Sequence, residues 1–161
     1  MGSVKLIIRV METLLEAHKK LLDVAKEERL ALVNGDMSAL RTILYRVNSC
    51  TDEIQQLEEE RKRLIVEYLK ENGHAGSGIT VEEILDFLMD EEAKTNLNLI
   101  ASQLRDVINE IRVINDSNQQ LIQSSISYIQ YSIGMFICKE PSIGYGPMKT
   151  NRFTSLLDAK I

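Results

Sequence analysis

Residues 34–72 read NGDMSALRTILYRVNSCTDEIQQLEEERKRLIVEYLKEN, and their spacing decides the fold. Leu40, Ile43, Val47, Cys50, Ile54, Leu57, Arg61, Leu64 and Tyr68 recur at strict steps of three and four. That is the heptad seam of a coiled-coil-like helix, predicted over about 37–72. Arg61 is the strong misfit, a residue whose aliphatic stem can pack while its head group reaches water. The charge run at 58–63 reads as a solvated face with salt links at helical spacing.

Working back toward the N-terminus, Asn34-Gly35-Asp36 has the chemistry of a tight turn between two helices. Gly35 suits the left-handed position after a helix, and Asp36 can accept from the free N–H groups of the next one. A link this short makes the flanking helices antiparallel neighbours. The preceding helix is predicted over about 4–34. Its apolar face is Ile7, Ile8, Met11, Leu14, Leu15, His18, Leu21, Leu22, Ala25 and Leu32, which fits the 3.6 period and never a period of two.

Working forward, 74–78 is a Gly-rich link and Thr80-Val-Glu-Glu83 is a capping box opening a short helix over about 80–89. The acidic stretch that follows favours a helix N-terminus. A last long helix is predicted over about 91–138. Its stripe is Leu97, Ile100, Leu104, Val107, Ile111, Ile114, Asn118, Leu121, Ser125, Tyr128 and Ser132. A flanking row adds Ile108, Asn115, Ile122, Ile129 and Phe136. The polar residues on the later part of this face can fix register, as buried amides do in coiled coils, or recognise a partner.

The expected fold is therefore all-α: an antiparallel bundle of three long helices plus one short helix over 1–138, with a flexible extended tail at 139–161. Glu140-Pro141 ends the last helix, and Gly144-Tyr145-Gly146-Pro147 is turn chemistry. At about 1.5 Å per residue, helix two spans roughly 54 Å and the last helix roughly 72 Å. If the last helix runs back beside helix two, about a dozen residues overshoot the hairpin turn. They include Tyr128, Ile129, Ile133, Phe136 and Ile137, an apolar surface without cover and so a candidate binding face.

Composition narrows the function. The net charge of −5 argues against nucleic acid, which requires a basic surface. The charge is uneven. Four basic and two acidic residues after Cys138 give the tail a net +2, leaving −7 for the rest. Two prolines, no tryptophan and 5% aromatics suit long uninterrupted helices. The start MGSVKLIIRVM has no secretory h-region, and Leu6 breaks the myristoylation pattern. The run 117–138 is uncharged but crowded with Asn, Gln and Ser, so no membrane insertion is expected. A reducing cytoplasm is the expected location.

No chemistry emerges from the motifs. Glu71-Asn-Gly-His74 has Glu-x-x-His spacing, but di-iron bundles need two such pairs and two further glutamates. His18 reads as a core or boundary histidine, and Cys50 as a small hydrophobe on the seam. No catalytic residue, metal ligand or cofactor site is expected, and the chain reads as a binding protein and not an enzyme.

Four places carry a family resemblance. They are the hairpin Ala31-Leu-Val-Asn-Gly-Asp36, the run Ile114-Asn-Asp-Ser-Asn118-Gln-Gln-Leu-Ile122, the turn Tyr145-Gly-Pro, and the closing Leu157-Asp-Ala-Lys160. In this order they resemble the FlgN-type chaperones of flagellar type III export. Where relatives continue Tyr-Gly with an acidic residue and Gly, this chain has Pro147-Met-Lys. The resemblance implies a cytoplasmic chaperone that binds the C-terminal helical region of hook-associated proteins and delivers it to the export gate. Helix-in-groove capture would use Leu121, Ile122, Tyr128, Ile129, Ile133 and Phe136, with Asn118 and Ser125 as polar partners on the same face. Tyr145 is implied as the residue docking on the gate. The alternative class is a structural coiled-coil homo-oligomer or scaffold, because a heptad face serves self-association equally well.

Overall fold

A computed structural model describes residues 2–73 and 80–138. Among them the regular structure is entirely helical: α1 (Gly2–Asn34), α2 (Met37–Glu71), α3 (Val81–Phe87) and α4 (Glu91–Cys138). The expected all-α class and the three long helices plus one short one are what the structure holds. The link at 74–78, with His74, and the tail at 139–161 lie outside the described residues.

The turn that sets the topology is built as its residues require. Gly35 sits at φ +65°, where a Cβ would be strained. Its N–H donates to Leu32 O (3.3 Å), and Asp36 N–H donates to Ala31 O (3.0 Å), the paired bonds of a Schellman ending. Asp36 then changes role. Its carboxylate accepts from Ala39 N–H at 2.9 Å and caps α2. Asp90 does the same for α4, accepting from Glu92 and Ala93 N–H.

Three cross-links give the α1–α2 register. Ser3 donates to Glu71 (3.2 Å), Lys20 pairs with Glu53 (3.4 Å), and Arg46 makes a two-pronged bond to Glu27. As one number rises the other falls, which is antiparallel packing. The division of the chain by contacts gives a compact unit, Met1–Ser125, and a second, Ile126–Ile161. In the first unit α4 runs in the direction of α1, since Lys26 pairs with Glu110 (4.0 Å) and Arg29 donates to Ser117, both numbers rising together.

The main core draws on all four helices: Ile7, Met11 and Leu14 of α1, Leu64, Ile65 and Leu69 of α2, Ile84 of α3, with Leu97, Ile100 and Leu104 of α4. A smaller cluster of Val24, Ala31 and Ile43, backed by Leu40 and Val47, seals α1 to α2 toward the turn. Ala17, Val24 and Ala31 are buried although they lie off the single apolar face read from α1. Two of them, Val24 and Ala31, pack with Ile43 of α2. Arg61 behaves as its position demands: its side chain is mostly buried and its guanidinium donates to Glu58 at 2.7 and 2.9 Å. Arg63 links to Glu67 and Glu60 on the solvated face.

Candidate partner-binding surface

Along α4 the burial of the apolar stripe changes abruptly. Leu97, Ile100, Leu104 and Ile111 are buried, and then Asn118 is the last to be so among the residues described up to Ile137. Asn118 is 2% exposed. Its Nδ2 donates to Ala25 O (3.2 Å) and Glu28 Oε2 (3.1 Å), while its Oδ1 has no hydrogen-bond partner. The amide therefore faces α1, where its Nδ2 donors are used. Leu121 is half-buried. Ile122 stands at the edge of exposure, and Ser125 is exposed with its hydroxyl donating to Leu121 O at 2.9 Å.

Residues 126–137 are helical and belong to the second unit. Here the sequence-predicted Tyr128, Ile129, Ile133 and Phe136 are all exposed, Tyr128 at 72% and Phe136 at 80%. Ile126, Tyr131, Met135 and Ile137 are exposed beside them. Ile126, Tyr131 and Met135 escaped the sequence reading. The signal was present, since Tyr131 and Met135 stand three and seven residues after Tyr128, but a single heptad seam has no place for Tyr131. No charged side chain occurs from 117 to 138. The surface thus offers apolar contact and short uncharged polar groups, with nothing to form an ion pair. Tyr145 lies outside the described residues.

Other sites offer less. An open cleft of about 1000 Å³ lies between the start of α1, the end of α2, α3 and the start of α4. It is lined by Ile8, Tyr68, Glu71, Phe87, Met89 and Asp90 among others. Among the described residues no three His, Cys, Asp or Glu side chains come together as a metal cluster. His18 is spent on the backbone, its Nδ1 lying 2.8 Å from Leu14 O. No described helix is long and apolar enough to cross a membrane.

The described fold is all-α, and its last helix holds large apolar side chains out in solvent. The chain belongs to the FlgN family: the model of that family, described as FlgN protein, matches residues 1–152. The family is one of chaperones acting in bacterial flagellum biogenesis, in agreement with the resemblance carried by the four sequence motifs. A protein of Bacillus subtilis (strain 168), called uncharacterized protein YvyG, is 26% identical over 143 residues, which span 89% of this chain and 86% of the relative. No solved structure matches.

Proposed function

We propose that this chain is a cytoplasmic export chaperone for flagellar hook-associated proteins. It binds their C-terminal helical region through the exposed apolar side chains of α4 and presents them to the flagellar type III export gate. One observation carries the reading: large hydrophobic side chains at 126–137 stand in water on a helix segment that has no charge. Burying such side chains against a partner supplies the main driving force of association. A chaperone of this kind shields the partner's own apolar helix by the same contact. It performs no covalent chemistry, and Tyr145 is the residue assigned to gate docking.

The test is binding of a purified C-terminal region of a hook-associated protein by full-length chain carrying Ile129→Asp with Phe136→Asp. Loss of binding by about a hundredfold, with helix content and unfolding midpoint unchanged, is expected for two central contacts. Unchanged binding would remove this face from the mechanism. Light scattering of the unaltered chain separates the self-association alternative. A one-to-one complex supports the chaperone, while a stable oligomer indifferent to the partner supports a scaffold.

A further inference from the structure

The exposed side chains at 126–137 do not form one stripe. Ile126, Ile129, Ile133 and Ile137 recur at steps of three and four, with Phe136 beside them. Tyr128, Tyr131 and Met135 recur at three and four as well. At about 100° per residue, the centres of these two sets lie roughly 150° apart around the helix. Both are bare. Ile129 is 55% and Ile133 48% exposed on the first, Tyr131 67% and Met135 44% on the second. By contrast Leu97, packed in the core by the same helix, is 0% exposed. Ser127, Gln130 and Gly134 fill the strip that remains on the far side, and an apolar arc this wide exceeds the single stripe by which a surface helix packs on one neighbour.

We infer that the partner encloses this segment from two sides, contributing two helical segments that each cover one set. This rests on the reading above that a hook-associated protein binds here. A single neighbouring helix engages a stripe about 100° wide, so one helix cannot reach both sets. The three–four spacing of each is the ridge pattern that another helix fills. A second copy of this chain is a poorer fit. A two-fold contact pairs one patch with itself and leaves the other set bare. Ser125 and Ser132 lie between the two sets on their closer side, where short side chains let two covering helices meet each other. The absence of charge from 117 to 138 defines the partner's faces: apolar with uncharged polar groups, because a charge buried there would have no counter-ion. The end of α4 is then the guest, and the partner forms the groove.

The experiment places a benzophenone photocrosslinker at Ile133 or at Tyr131 in the full-length chain, mixed with the C-terminal helical region of a hook-associated protein. Crosslinks from both positions to two separate segments of one partner molecule, in a one-to-one complex, are expected. Crosslinking from Ile133 alone, from Tyr131 to another copy of this chain, or from both positions to the same helix would overturn the two-sided enclosure. The binding reading would stand in those cases. Crosslinking to the partner from neither position removes both. Tyr131→Ser with Met135→Ser is expected to weaken binding about tenfold or more, with helix content unchanged. Equal affinity would overturn the enclosure.

Discussion

Asn118 sits at a polar node where α4 meets α1. Its Nδ2 is satisfied by Ala25 O and Glu28, its Oδ1 is buried and unpaired, and Arg29 donates to the neighbouring Ser117. An unsatisfied buried acceptor costs about 1–3 kcal/mol, whereas a similar apolar side chain avoids that cost. Asn118→Leu is therefore expected to raise unfolding stability by about 1 kcal/mol, read from urea denaturation. A loss of stability would show that the two donated bonds outweigh the orphan oxygen. Glu27 offers a pH test. The hydrogen bond from Arg46 holds its carboxyl below the ordinary carboxylate range, against a smaller opposing effect of desolvation. A depressed folded-state pKa gives stability present above the unfolded value and lost as pH falls through the folded one. Urea midpoints should fall between about pH 5 and pH 3, and Glu27→Gln should flatten part of that fall. The pair is exposed, so its share is small. Superimposable profiles would mean that it contributes nothing.

At the scale of elements, the α1–α2 hairpin was legible because it turns on local chemistry. Gly35 and Asp36 carry in two residues the bonds that close α1 and open α2. Asp36→Ala should cost about 1 kcal/mol by leaving the N–H of Ala39 without its cap, measurable as a lower urea midpoint. The seam of α2 was legible for the same reason, although Ile65 and Leu69, off the strict heptad, are as buried as Leu64 and Tyr68. They are buried because α2 packs into a core shared with α3 and α4 and not against a single neighbour. The partner of Asn118 could not be read, since Ala25 lies 93 residues away and its carbonyl carries no sequence mark. The second apolar set at Tyr128, Tyr131 and Met135 was hidden for another reason. A seam is sought as one periodic row, and two interleaved rows read as one irregular row.

For the whole molecule, the distribution of burial separates the residues that hold the fold from those free to bind. Leu97 is fully buried in the core shared by all four helices. Leu97→Ala removes packed volume that neighbours on four helices refill only partly, so it should cost about 2–5 kcal/mol. Ile129 is half exposed and lies among residues 126–137, where the neighbouring large side chains are exposed too. Its truncation to Ala leaves no cavity and should change unfolding stability by less than about 0.5 kcal/mol. Binding should behave in the opposite sense. Ile129→Ala is expected to weaken capture of the proposed hook-associated partner at an unchanged urea midpoint, while Leu97→Ala is expected to lower the midpoint but leave affinity near that of the unaltered chain wherever the fold persists. Urea denaturation and calorimetric titration on the same two variants measure both quantities. If Ile129→Ala lowered the midpoint as much as Leu97→Ala, residues 126–137 would be part of the cooperative core. Their apolar side chains would then serve the fold, and the partner surface would have to lie elsewhere.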